Sequence, residues 1–323
     1  MIKKLILLSI LFIAIFFISI KYGAVTIENK EIFGLIKNSN FGENKDLLME
    51  LRLPRVVGAS LVGIALAISG CVMQGITRNP LADPGILGIS SGANLFMTIS
   101  MILLPNINYF GINIFCFLGA TLGTIIVFIL GNSKIHSKNT YKLILSGVAM
   151  STLFFSLSEA LSLKFNVYKE ASMWLNGGLL GINFKQISIA SIFIISASIF
   201  IYIKSTSLTV LSFDEQISIS LGENLRKSKI LFLILNIFLA GSAVALAGNL
   251  TFLGLLVPHI SRKIVGNDYK KIIPIASLLG AIFLLISDLM ARIVLAPFEV
   301  PLTAIVSIIG LPFFLIIVKK KGI

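Results

Sequence analysis

Few residues in this chain could do chemistry, and nearly all of them are charges at the edges of apolar runs. Arg52 and Arg55 flank Pro54 at the start of one run, Asp288 and Arg292 stand four apart near the end of another, and Glu159 lies alone within a third. Arginine–carboxylate pairs fix orientation and speed encounter with an acidic partner. The same arginines could be spent internally: Asp288 and Arg292 share a helix face, and Glu50 is close in sequence to Arg52 and Arg55. Glu159 is a candidate functional acid because charge inside a membrane span is costly, unless it lies near the outer end and reaches water. His136 and His259 are too isolated for a metal-site spacing. Cys71 and Cys116 sit within apolar runs, where cysteine behaves as a small hydrophobe, so no metal or disulfide is assigned. No G-x-x-x-x-G-K-S/T phosphate loop is present, so any ATP-driven work falls to a partner.

The elements that must position these residues are membrane helices. A chain that is 56% hydrophobic and 13% charged is not a soluble domain. Its long apolar runs predict about ten crossings, near 5–22, 54–75, 85–104, 112–131, 141–163, 185–203, 230–248, 252–265, 271–291 and 300–318. The eighth is short. Nothing reads as a separate soluble unit, so residues 1–323 form one all-α integral membrane domain. The N-terminal run has the length of a signal peptide but no small-residue cleavage site, and is read as an uncleaved first helix.

The net charge of +13 would suit nucleic acid, but the basic residues sit in short loops between spans. With the N-terminus inside, the larger share of the 27 lysines and arginines falls in or beside cytoplasmic loops. Both termini are then cytoplasmic, the second marked by Lys319, Lys320 and Lys321. Nucleic acid is excluded as a partner.

Ala59, Gly63, Ala67 and Gly70 fall on one face of the second helix, with Gln74 a turn further on. A smooth face with a polar end, followed by the break at Arg78-Asn79-Pro80-Leu81, suits close packing and the lining of a path. A weak internal repeat accompanies it: Gly63–Gly70 matches Gly241–Gly248, with Pro80 and Pro258 each ten residues later. On the topology above the two copies run in opposite directions, as inverted repeats do in transporters. Two connections are long and polar. Segment 21–51 is external and is expected to carry a short helix around Glu31–Lys37. Segment 204–229 is cytoplasmic and is expected to form two short amphipathic helices joined at Gly222.

The block from Arg52 to Ala93 resembles the permease subunits of the FecCD family, the membrane halves of ABC importers for iron–siderophore complexes, haem and cobalamin. The resemblance recurs at Leu221-Gly222, at Gly248–Arg262 with Gly266-Asn267-Asp268-Tyr269, at Trp174 to Gly177, at Glu299-Val300-Pro301, and at Gly310-Leu311-Pro312-Phe313. Two departures stand out. Asp214 and Ser218 replace the usual Gly and Ala, and Pro301-Leu302-Thr303 replaces Pro-x-Gly, a change that could mark a different substrate.

The resemblance implies a type II ABC importer permease with two inverted five-helix halves after a separate first helix, in the cytoplasmic (inner) cell membrane. Its implied partners are a second permease copy or homologue, two ATPase subunits that bind ATP and magnesium, an extracytoplasmic substrate-binding protein, and lipid. It implies no cofactor in this chain. Arg52, Arg55 and Arg292 would meet the binding protein. Gly63, Ala67, Gly70 and Gln74 would line the path, and Asn79, Leu81, Thr140 and Tyr141 would gate it from inside. Asp214, Glu215, Leu221, Gly222 and Arg226 would couple it to the ATPase.

The reading is therefore a permease for an iron–siderophore complex, with haem and cobalamin as alternative cargoes. An ion-coupled secondary transporter would want several buried acids, and only Glu159 and Asp288 are candidates. A membrane enzyme would want a clustered His, Ser or acid site, which the sequence lacks.

Overall fold

The structure, a computed structural model, describes residues 1–23, 46–105, 107–131 and 140–321. Among these, thirteen α-helices follow one another: α1 (Ile2–Lys21), α2 (Leu53–Thr77), α3 (Ile89–Leu103), α4 (Tyr109–Gly131), α5 (Thr140–Lys164), α6 (Tyr168–Gly177), α7 (Phe184–Ile203), α8 (Ser205–Leu211), α9 (Glu215–Ser220), α10 (Leu225–Ala247), α11 (Leu253–Val265), α12 (Tyr269–Ile293) and α13 (Leu302–Lys321). A π-turn at Leu47–Arg52 leads into α2, and a 3-10 turn at Pro84–Leu87 precedes α3. The helix expected around Glu31–Lys37 lies outside the described residues.

Local sequence sets the boundaries. Pro54 occupies the first turn of α2, where its missing N–H costs nothing, and Arg78 ends that helix in the left-handed conformation at φ 53°. Asn183 and Gln186 form a reciprocal capping box at the start of α7. Asn224 and Asp268 accept the N–H groups of Lys227 and Lys270 to open α10 and α12.

Each expected crossing finds a helix. Seven described helices are long and apolar enough to span a membrane, so this is a multi-pass membrane protein. The remaining three are α3, α11 and α13. With 13 residues, α11 reaches only about 20 Å at 1.5 Å per residue. It starts part-way down the bundle: Gly254 near its N-terminus packs so closely on α2 that a Cβ at Gly70 would lie 1.8 Å from the Gly254 carbonyl oxygen. Helix α3 begins in the same fashion, with Gly88 and Gly92 seated against Gly119 and Gly123 in the middle of α4. After α2 the chain therefore turns back into the bundle before α3 sets off.

The inverted repeat is a repeat of packing. Helix α2 packs on α12 as α10 packs on α4, α2 on α11 as α10 on α3, and α5 on α3 as α13 on α11. The opening helices α1 and α7 pack on α2 and α10 respectively. The match ends there: α1 lies mainly against α12 and only lightly against α2, whereas α7 lies mainly against α10 and also touches α2, so α1 stands apart from the repeat. Direction is opposed, since α2 ends where Gly75 meets Leu208 of α8, beside the segment from which α10 departs. The residue pairing expected from sequence does not hold. Gly70 lies inside α2 whereas Gly248 caps α10, and Pro80 lies in a turn whereas Pro258 lies inside α11.

Candidate functional site

At the end of the bundle assigned to the outside, the three arginines are buried and engaged within the chain. Arg55 Nε donates to Asp288 Oδ1 at 2.7 Å, and its Nη1 donates to both oxygens of Glu299 at 2.8 Å. Arg292 Nη2 lies 3.0 Å from Asp288 Oδ2, across one helical turn. Arg52 Nη1 donates to the carbonyls of Ile20 and Lys21, both at 2.9 Å, and Arg292 Nη1 to that of Ser19 at 3.1 Å. Two guanidinium groups thus cap the C-terminus of α1, whose last carbonyls have no helical partner and whose dipole favours positive charge. The cluster ties α1, α2, α12 and the loop before α13 together. Within this single chain Asp288 lies against both Arg55 and Arg292, and the most accessible member of the ion-pair cluster is Glu299, with 30% of its side chain exposed.

The small-residue face of α2 also turns inward. A Cβ at Gly63 would lie 2.3 Å from the Gly280 carbonyl oxygen, Ala67 is fully buried, and Gly70 is sealed by Gly254. Gln74 is buried too. Its amide donates to the Leu255 carbonyl at 3.2 Å and its oxygen accepts from Arg262. These four residues pack α2 against α11 and α12 and do not line an opening. Close approach of backbones needed the missing side chains; the sequence signal for close packing and for a path was the same signal.

The opening lies elsewhere. A cleft of about 750 Å³ is walled by α3, α5 and α6, by the turn holding Asp83, and by the approach to α11. Its lining is rich in hydroxyls: Ser91 on α3, Ser151, Ser158 and Ser162 on α5, Ser172 on α6, and Thr303 on α13. Thr98 and Ser158 share a 2.7 Å hydrogen bond that holds α3 to α5. Asp83, whose carboxylate accepts the Gly85 N–H at 2.8 Å, and Glu159 both line the cleft, with Asn94 and Asn249. Glu159 sits on the outer third of α5 and is exposed to this opening. Thr303, which stands where the family pattern has glycine, is on the wall. Sequence reasoning missed the serines, although their spacing marks a polar stripe along an apolar helix. Away from the wall, α5 presents Leu145, Leu153 and Leu157 to the outside, so the cleft is open on one side of the chain.

At the inner end, Asn79 closes a turn by accepting the Leu81 N–H at 2.9 Å, and both residues are half-buried. Thr140 and Tyr141 start α5; their side chains lie outside the described residues. The 204–229 segment does hold two short helices, but they join at 212–214, and Gly222 (φ +80°) ends the second. Asp214, Leu221, Gly222 and Arg226 are exposed and Glu215 is half-buried. Around them Phe213, Ile217, Ile219 and Leu221 are exposed apolar residues, 59% in the case of Leu221. Ser218, where the family pattern has alanine, is buried and donates to the Val210 carbonyl at 2.8 Å. The loop is pinned to the bundle on three sides. Arg78 Nε donates to the Leu211 carbonyl at 3.0 Å, the Tyr269 N–H donates to Thr209 Oγ1 at 3.0 Å, and Ser207 and Ser228 both donate to Glu223. Among the described residues, no three His, Cys, Asp or Glu side chains are grouped to hold a metal ion.

Two inverted halves, a polar cleft open to one side and a pinned helical loop with an apolar outer surface define a transmembrane permease of the type II ABC-importer class. The chain belongs to the FecCD transport family, whose model matches residues 11–320. It is 39% identical to the iron-uptake system permease protein FeuB of Bacillus subtilis over 306 residues, covering 94% of this chain and 92% of that one. It is 35% identical to the iron(3+)-hydroxamate import system permease protein FhuB of the same organism, over 94% of this chain and 80% of the relative. A solved transporter described as of the metal-chelate ABC type, in an inward-facing conformation, superimposes with a TM-score of 0.84 at 27% identity, covering 98% of this chain and 99% of that one.

Proposed function

We propose that this chain carries a ferric siderophore complex across the cytoplasmic membrane as the permease of an ATP-driven importer. The observation that carries the reading is the hydroxyl-lined cleft, roomy enough for a chelate and built into a chain similar to iron-uptake permeases along nearly its whole length. A second copy or a homologue covers the open side of α5 and closes the path. ATP and magnesium are held by two partner ATPase subunits, which seat against Phe213, Ile217, Ile219 and Leu221. An extracytoplasmic binding protein supplies the chelate at the outer end. Asn79 and Leu81, with the start of α5, form the inner gate, and both termini are cytoplasmic.

Transport needs no chemistry on the cargo; the two states differ in which end of the path is open. Haem and cobalamin are the alternative cargoes. The test is uptake of labelled iron from a panel of siderophore complexes, in cells lacking the chain and in the same cells with it restored. Loss of uptake of one or more complexes, recovered on restoration, is the expected result. Unchanged iron uptake together with chain-dependent loss of haem or cobalamin uptake would replace iron as the cargo.

A further inference from the structure

The wall of the cleft is chemically one-sided. Among the described lining residues there is no lysine, arginine or histidine, yet Asp83 and Glu159 contribute two carboxylates. No ion pair among the described residues neutralises either acid. Lys164, five residues beyond Glu159, is off the wall, with Nζ over the Phe165 ring at 5.6 Å. Two further groups on the wall want a hydrogen-bond partner, and one of them, an amide oxygen, can only accept. Asn94 is 4% exposed and its Oδ1 has no hydrogen-bond partner, and Ser151 Oγ is likewise buried without one. A buried acceptor left unsatisfied is costly, so such groups point to a ligand or water that brings hydrogens to them. The two carboxylates and the open Asn94 oxygen thus favour N–H, O–H or cationic groups; the hydroxyls can donate to an oxyanion, but no positive charge among the described lining residues balances one.

We propose that the cleft sorts its cargo by charge: it passes ferric chelates that are neutral or cationic at their periphery, such as trihydroxamates, and opposes polyanionic ones, with Glu159 as the specificity-determining residue. The proposal rests on the ferric-chelate reading above and narrows it. Glu159 is placed for the task, on the outer third of α5 where an incoming chelate meets the wall first. Like charge brought into a narrow, partly desolvated path is opposed far more strongly than in bulk water, because there is less solvent to screen it. If the second subunit is another copy of this chain, the acids are doubled across the path.

The test compares labelled iron delivered as a cationic trihydroxamate bearing a free ammonium, as a neutral trihydroxamate, and as a tricatecholate trianion. Each is offered to cells carrying the wild-type chain, Glu159→Gln or Glu159→Lys, with the binding protein unchanged and membrane levels of the chain matched. The isosteric glutamine variant guards against misfolding of the lysine one. The expected result is wild-type preference for the cationic and neutral complexes. In Glu159→Lys, cationic uptake relative to tricatecholate uptake falls by about tenfold, with Glu159→Gln between the two. Wild-type preference for the trianion, or a ratio unmoved in both variants, would overturn the charge proposal and leave the permease reading intact. No chain-dependent uptake from any of the three complexes would overturn the ferric-chelate reading, and this proposal with it.

Discussion

Arg55 on α2 and Asp288 on α12 meet at 2.7 Å although 233 residues separate them in the chain. Asp288 has no exposed side-chain surface, and it faces Arg292 on its other side. Removing it leaves two guanidinium groups buried with less than their share of negative charge, and losing one partner of a buried pair costs about 3–5 kcal/mol. Asp288→Asn is therefore expected to lower the thermal midpoint of the detergent-solubilised protein more than Glu299→Gln, whose carboxylate is partly exposed. Equal shifts would show that burial is not what makes Asp288 valuable.

The seam between α2 and its neighbours allows a second prediction. At Gly70 an added Cβ would collide with a backbone carbonyl that cannot rotate away. Gly70→Ala must therefore push α11 off α2, and overpacking of this kind costs about 1–3 kcal/mol or more. At Gly222 a Cβ meets nothing within 4 Å, and only the positive φ is strained. Membrane yield and thermal midpoint should fall clearly for Gly70→Ala and only modestly for Gly222→Ala; the reverse order would count against the packing seen here.

The apolar surface of the 204–229 loop has a separate consequence. Leu221 is 59% exposed, so Leu221→Asp should leave insertion and folding unchanged. Copurification of the partner ATPase should nevertheless be lost, because a charge now stands in an apolar contact. Full retention of the ATPase by Leu221→Asp combined with Ile219→Asp would place the docking surface elsewhere.

Arg78 tests transmission. It combines a left-handed backbone with a side chain that holds the Leu211 carbonyl, one residue before the Asn79–Leu81 turn. Glycine keeps the backbone conformation and deletes the clamp. Arg78→Gly is expected to keep the ATPase bound while iron uptake drops about tenfold, a coupling effect of the usual size. Loss of ATPase binding in this variant would mean that Arg78 shapes the docking surface and does not transmit its motion.

What could be read from the sequence followed physical lines. Hydropathy alone placed a helix at every expected run, seven of them long and apolar enough to span a membrane, because a helix in lipid must satisfy its backbone internally and so writes its length into the chain. Depth was not legible. The short run of α11 hinted at a helix that starts part-way, but α3 looked long enough to cross because the turn at Pro84–Leu87 continues its apolar run. The polar pairs were half legible: Asp288 with Arg292 lies on one helix and shows in the spacing, whereas Arg55 with Asp288 and Glu299 is set by tertiary packing. The α2 face was read correctly as small and wrongly as a lining, since glycine and alanine serve a seam as well as a channel. On α5, serines spaced along an apolar helix carried the real signal of a wall.

The cap on α1 bears on the order in which the protein can be built. Helix α1 ends in carbonyls, one of which is held by Arg292, 273 residues further along the chain. At about 5–20 residues per second, roughly 15–55 s pass before that arginine exists. Through most of synthesis α1 must wait in the bilayer with its outer end unfinished, held on one side by Arg52 and elsewhere by lipid headgroups or water. The final locking of the first helix is thus among the last events of assembly, and a ribosome stalled before Arg292 would leave a chain that is inserted but still unlatched.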